Sequence, residues 1–328
     1  MGYRHLDRIQ AGTHPYLPHD AYLKLLHLKP SADDIAFQNY DIILLDEAQD
    51  SDTCVSDIIL RQQQRAGVIV VGDPYQRIYG FRGASNAPFN DVEYSPTITC
   101  HLTWNFRFGD NIAGAANILL KAMGEEFPLN GVRKDDAIYD LKSPSMWQRR
   151  KEKILGPPRE HVVIFRKNTT LVRFGIKFHR FYSKYKMALK VKKNYQKETL
   201  FNNLRDGYRL FRGQRTRSTL LKDFESWYQL QKYVLSKAHD NTEQSYLELI
   251  FGLECEFEKH TFLNDLNNVA AHVVDNEDEE NVILINTHQA KGREWDNVVL
   301  ADGFIDISDR HHIMYNPYYQ GEAGILEL

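Results

Sequence analysis

Five short runs of aliphatic, mostly β-branched residues, each bounded by polar or turn residues, constrain the fold of this chain more than any other feature. They are Asp41-Ile42-Ile43-Leu44-Leu45-Asp46, Val68-Ile69-Val70-Val71-Gly72, His161-Val162-Val163-Ile164-Phe165, Asn281-Val282-Ile283-Leu284-Ile285 and Asn297-Val298-Val299-Leu300. Continuous rather than alternating hydrophobicity predicts strands covered on both faces, as in a parallel sheet packed between helices. Helical spacing at 55–65 and 111–123 lies between the runs, and strand alternating with helix predicts an α/β fold.

From about residue 175 to 275 the texture changes. Strand signals thin out, charges and aromatics dominate, and 224–238 and 246–259 have amphipathic helical spacing. This predicts a helical domain inserted into an α/β domain. The acidic run Asp275-Asn276-Glu277-Asp278-Glu279-Glu280 fits a solvated turn.

Charge is segregated along the chain. The 328 residues carry a formal net charge of −3, yet 166–217 holds 16 Lys or Arg against two acids, Glu198 and Asp206. Nine aromatics between Phe174 and Phe211 interleave with those cations, among them Phe178, Phe181, Tyr182, Tyr185 and Tyr195. Cations that contact phosphates beside rings that stack on bases suit nucleic acid. The competing reading is a solvated basic surface whose aromatics turn into the core.

Other features act mainly as exclusions. With 42% hydrophobic and 26% charged residues, the composition excludes a wholly disordered chain and a collagen-like repeat, and it predicts no membrane span. Cys54, Cys100 and Cys255 are far apart, without a CxxC pair, so neither a disulfide framework nor a cysteine zinc site is expected. The opening residues show no apolar signal region, and a reducing compartment is expected.

The segment Leu44-Leu45-Asp46-Glu47-Ala48-Gln49-Asp50 carries the most chemistry. An apolar strand ends in adjacent carboxylates, at the edge where open α/β sheets bind ligands. Nucleotide hydrolysis needs one carboxylate to hold Mg²⁺ and another to orient or deprotonate water. A second strand leads into Gly72-Asp73-Pro74-Tyr75-Gln76-Arg77-Ile78-Tyr79-Gly80-Phe81-Arg82-Gly83-Ala84, a loop crowded with an amide, aromatics and arginines. That mixture suits contact with phosphate on one side and a base on another.

Together these segments resemble motifs II and III of superfamily 1 helicases of the UvrD/Rep type, DExQD and GDxxQxIYxFRGA. Leu102-Thr103-Trp104-Asn105-Phe106-Arg107-Phe108-Gly109 resembles motif IV, the strand from His161 resembles IVa, and Thr287-His288-Gln289-Ala290-Lys291-Gly292-Arg293-Glu294 resembles motif V. The form of motif IV and His19-Asp20-Ala21-Tyr22-Leu23-Lys24-Leu25 resemble more narrowly the F-box DNA helicase branch. The implied architecture is RecA-like parallel-sheet motor domains. A partial first one spans 1–104; the second spans 105–175 and 276–328, with a helical accessory insertion at 176–275.

The resemblance implies ATP and Mg²⁺ as cofactors, single-stranded DNA as partner, 3′-to-5′ movement and no membrane. It implies the nucleus for a eukaryotic protein and the cytoplasm otherwise. By resemblance Asp46 would hold Mg²⁺, Glu47 would activate water, Gln76 would sense the γ-phosphate and Arg107 would act as an arginine finger. Phe106 would stack on adenine, with Glu294 on the ribose and Gly292 beside the nucleotide. Phe81 would stack on a DNA base, Arg82 would link the DNA and nucleotide sites, and Tyr79, Thr287 and His288 would lie near DNA. Gln49 and Lys291 are weaker assignments that fit loop shaping as well as ligand contact. Arg77 and Arg293 depart from the family pattern by adding positive charge.

The phosphate loop GxxxxGK[ST] is missing: none of the 19 glycines precedes a lysine, and motif VI is not found either. The expectation is an incomplete helicase chain that binds ATP poorly alone, with a second chain supplying the loop as one way to complete it. The alternative is a non-catalytic DNA-binding or regulatory module on the same scaffold. An unrelated magnesium-dependent hydrolase would leave motifs III to V unexplained.

Overall fold

The structure is a computed structural model that describes residues 19–29, 37–78, 89, 98–138, 161–181, 186–190, 196–236, 242–274 and 282–301. The described residues fall into two compact units, one up to residue 138 and one from 161 to 301.

The first unit opens with helix α1, His19–His27, followed by strand β1, Ile42–Leu45. After a 3₁₀ turn at Ala48–Asp50 come helix α2, Thr53–Leu60, and strand β2, Gly67–Val70. Asp52 starts α2 by accepting the Val55 N–H at 2.9 Å, an N-cap that satisfies one of the helix's unpaired amides. β1 and β2 pair in parallel, Ile42 opposite Gly67 through Leu45 opposite Val70, as a helical crossover between strands requires. α1 is tied to α2 by the His27 ring on Asp57 at 2.6 Å and by Arg61, which reaches both Asp57 and the His27 carbonyl. A second parallel pair joins β3, Trp104–Gly109, to β4, Asn130–Arg133, with helix α3, Asp110–Ala122, between them. The residue before α3 is a glycine, so Asp136 caps the helix from a distance by accepting the Ile112 N–H at 2.8 Å.

The second unit is built on a four-stranded sheet, every neighbouring pair of which is parallel. Its chain order is β5, His161–Phe165; helix α4, Asn168–Phe181; β6, Met187–Lys190; helices α5, Lys197–Phe211, α6, Trp227–Leu235, α7, Thr242–Gly252, α8, Glu254–Phe257, and α9, Phe262–His272; β7, Val282–Asn286; the short helix α10, Thr287–Ala290; and β8, Asn297–Leu300. Spatially the strands run β6-β7-β5-β8. All five residues of β7 are buried, as a central parallel strand with both faces covered must be.

Parallel α/β architecture is therefore what the strand runs predicted. β3, expected in the second motor domain, lies in the first unit. β6 lies within the range expected for the insertion, yet it pairs with β7 and its Met187, Ala188 and Leu189 are buried. The helical segment packs directly on the sheet. Phe165, Leu171, Met187, Leu189 and Leu284 share one core with Leu200, Leu204, Leu230, Ile250, Leu253, Phe257 and Phe262 from α5–α9. The helix expected over 246–259 breaks at Leu253, where α7 gives way to α8. The acidic run at 275–280 lies outside the described residues.

One buried histidine gives this core a pH dependence. His179 on α4 is 7% exposed, packs 4.3 Å from the His272 ring on α9, and has no hydrogen-bond partner at Nδ1 among the described residues. Burial and the charge of His272 lower its pKa below 6.5, with Asp265 opposing. A depressed histidine pKa means that the unfolded chain takes up a proton first as pH falls. We predict that stability to urea, full above pH 6.5, falls as pH drops from there through the lowered folded-state value, and that His179→Met flattens this dependence.

Candidate functional site

Parallel pairing of β1 with β2 brings the two loops that follow them side by side. The Val71 N–H donates to the Leu45 carbonyl at 2.8 Å, and the Ala48 N–H donates back to Val71 at 3.0 Å. Asp46 and Glu47 thus leave the sheet next to Gly72 and Asp73, and both carboxylates are exposed. Glu47 has φ 51° and ψ 41°, the left-handed region, and it is the one non-glycine with positive φ among the described residues. Such a backbone costs on the order of 1–3 kcal/mol and persists only where surrounding contacts hold it.

Hydrogen bonds from both loops hold it in place. The Glu47 N–H donates to Asp46 Oδ1 at 2.9 Å. Gln49, 1% exposed, donates from Nε2 to Glu47 Oε2 at 2.6 Å and accepts the Asp73 N–H on Oε1 at 3.1 Å. Asp73 in turn accepts the Tyr75 N–H at 2.9 Å and Gln76 Nε2 at 2.7 Å, starting a 3₁₀ turn at Pro74–Gln76. A continuous hydrogen-bonded path therefore runs from Glu47 through Gln49 and Asp73 to Gln76. A Cβ on Gly72 would fall against Gln49 Oε1, the Phe89 ring and the Ala48 nitrogen, so only glycine lets the two loops close on each other. The Glu125 carboxylate lies close enough to Tyr75 for its charge to act on the phenol. Burial, then that carboxylate, push the phenol pKa above 10.

Of the other expected site residues in this unit, Phe106 and Arg107 lie on β3. The ladder to β4 is irregular between Asn105 and Gly109, a geometry that re-aims side chains. Phe106 is 76% exposed, as is its same-face neighbour Trp104 at 65%, so Phe106 is not a core ring. Arg107 is also exposed. Tyr79, Phe81 and Arg82 lie outside the described residues.

In the second unit, Asn286 ends β7 and caps α10 by accepting the Gln289 N–H at 2.9 Å. Thr287 was expected near DNA, but its side chain is buried and its hydroxyl donates to the Phe165 carbonyl at 3.3 Å. It fastens α10 to β5. His288 is half-buried, and Gly292 and Glu294 are exposed beyond the helix, with Gly292 at φ +78°.

Missed from sequence was Asp73, which joins the two loops; its one signal was its place between a strand-ending glycine and Gln76. Gln49, which in sequence fits loop shaping as well as ligand contact, bonds both loops. Among the described residues no group of three or more His, Cys, Asp or Glu is arranged to hold a metal alone. Adjacent exposed carboxylates nonetheless fit Mg²⁺, which takes one or two carboxylates, keeps waters and completes its shell with substrate phosphate.

Residues 19–96, which hold this hydrogen-bonded path, match the UvrD/REP helicase N-terminal domain. In these residues the chain is similar to the UvrD/REP helicases. It is 37% identical over 321 residues to F-box DNA helicase protein 1 of Schizosaccharomyces pombe, a match covering 96% of this chain and 35% of that protein. F-box DNA helicase 1 of Gallus gallus is 27% identical over 304 residues, 88% of this chain and 26% of its own. The ATP-dependent DNA helicase PcrA of Leuconostoc citreum is 33% identical over 115 residues, 33% of this chain and 15% of its own. The chain thus spans about a third or less of the length of these relatives.

Gln49→Leu keeps the volume but strands the Asp73 N–H and removes the Gln49 donor from Glu47. We expect a loss of about 1–3 kcal/mol in urea denaturation. Gly72→Ala should destabilise by a similar amount, about 1–3 kcal/mol, by forcing the loops apart.

Proposed function

We infer that this chain is part of an ATP-driven DNA helicase motor acting on single-stranded DNA, with 3′-to-5′ movement as in the UvrD/Rep family. The observation that carries this reading is the bonded path from Glu47 to Gln76, which couples a strand-end carboxylate pair to a loop ending in an exposed amide.

In this reading Asp46 holds Mg²⁺ at the triphosphate of ATP, and the ion, when bound, neutralises charge on the phosphate oxygens. Glu47 orients the attacking water and takes its proton. Gln49 keeps that carboxylate aimed, and Gln76 feels the terminal phosphate and passes its state back through Asp73. Arg107 stabilises charge on the transferring phosphoryl group, and Phe106 stacks on the adenine face. Gly292 and Glu294 lie beside the nucleotide and its ribose. Tyr79, Phe81 and Arg82 contact DNA, and His288 does so in place of the buried Thr287 hydroxyl.

The deciding measurement is ATP turnover by the protein with and without single-stranded DNA. Because the sequence holds no phosphate loop, slow turnover by this chain alone is expected; once a chain supplying that loop is present, DNA-stimulated hydrolysis that Glu47→Gln lowers about 10²–10⁴-fold is expected. Binding to DNA with no turnover, unchanged by Glu47→Gln, would make the chain a DNA-binding module instead.

A further inference from the structure

The basic stretch divides into two parts that do different things. Its described aromatics are committed to the core: Phe178 and Phe201 are buried, and Phe174, Tyr208 and Phe211 pack against the same cluster. Tyr208 stacks on Phe262 with centroids 5.5 Å apart, and Phe211 meets Trp227 edge-on at 5.4 Å. Their faces are taken, so base stacking is not what these rings offer. The cations are left outside. Residues 205–222 hold six Lys or Arg and one acid, Asp206.

That one acid shapes the loop after α5. Asp206 is 3% exposed, accepts Arg209 Nη1 at 2.6 Å on one oxygen, and on the other accepts the Arg217 N–H at 2.7 Å and the Ser218 N–H. The other end of the loop is fixed by the helix terminus. Gly213 sits at φ +70°, its N–H donates to the Leu210 carbonyl at 3.0 Å, and the Gln214 N–H donates to Arg209 at 2.8 Å. This is the paired 5→2 and 6→1 pattern of a Schellman cap. Arg212 lies back over the Tyr208 ring, 5.3 Å from its centroid. Arg215 and Arg217 are exposed, and no carboxylate pairs with either guanidinium among the described residues.

The geometry points to the loop 212–217 as a docking site for the DNA phosphodiester backbone, with Asp206 as its positioning residue. Arg212 to Arg217 spans at most about 17 Å of extended chain, enough to meet several phosphates of one strand at roughly 3.4 Å of helix axis each. A loop pinned at both ends loses little freedom on binding, and arginine forks match phosphate oxygens. Because the neighbouring Tyr208 and Phe211 rings pack against the core, the loop recognises backbone charge without bases and serves duplex and single strand alike. The inference rests on the reading of this chain as part of a DNA motor.

The test is fluorescence anisotropy of the full chain with duplex and single-stranded oligonucleotides across salt. Arg215→Gln/Arg217→Gln should weaken binding to both about tenfold or more near 0.1 M salt. It should also reduce the log–log salt slope by about 2 on duplex and about 1.4 on single strand. Asp206→Asn keeps the cations but releases the loop, so affinity should fall several-fold with the slope retained. DNA binding with an unchanged slope in the double variant overturns the loop assignment and leaves the motor reading standing. Failure of the unmodified chain to bind either DNA overturns both. Should Asp206→Asn not fold, protection of Arg215 and Arg217 from phenylglyoxal by DNA in the unmodified chain decides instead: protection supports the site, and equal modification with and without DNA refutes it.

Discussion

Parallel strands cannot leave a face to water without exposing aliphatic surface, and their pairing needs a crossover between every two strands. In the second unit this requirement organises everything else. β7 lies between β5 and β6 with all five residues buried. One face of the sheet meets the large core that continues into α5–α9; the other is covered by a smaller cluster of Val162, Ile283 and Ile285 with Ala290 and Trp295. The long helical excursion between β6 and β7 is therefore the cover of the sheet as well as an insertion in the chain. In the first unit the same requirement is met on one side only: Ile43 is buried, while Ile42 and Leu44 are 59% and 66% exposed.

Within that first unit the meeting of the two strand-end loops depends on a buried amide. Gln49 joins the loop after β1 to the loop after β2, and both of its polar ends are used. It holds Glu47 in a backbone conformation that a glutamate adopts rarely, which fits the general finding that strain collects where geometry matters. Gly72 is the partner of this arrangement, small enough to let Gln49 pass. The residue types at 46, 47, 72 and 76 were legible in sequence because they recur at the ends of two aliphatic runs. The role of Asp73 was not, since a hydrogen bond across 24 positions has no local signature.

The basic stretch shows a similar split. Its excess of cations was plain from composition, but the destination of its aromatics was not. Amphipathic helices place rings and charges at the same spacing whether the rings face a ligand or a core, and only the packing of α5 against α8 and α9 decides between them. Asp206, one of two acids among many cations, is the exception that organises the rest. Its burial and three accepted hydrogen bonds turn a charge-rich loop into a shaped one.

Sequence alone determined the parallel α/β class, the placement of carboxylates and loop glycines at strand ends, and the kinship carried by ordered motifs. These are local properties: hydrophobic period, turn chemistry and residue order. Tertiary structure decided that β6 belongs to the sheet, that the helical segment shares its core, and that Thr287 serves packing. It also decided that Gln49 and Asp73 connect the two loops that follow β1 and β2. Those outcomes depend on which surfaces meet after the chain has folded back on itself. A four-residue strand such as Met187–Lys190, lying in a run of lysines, carries too few apolar positions to announce its partner in advance.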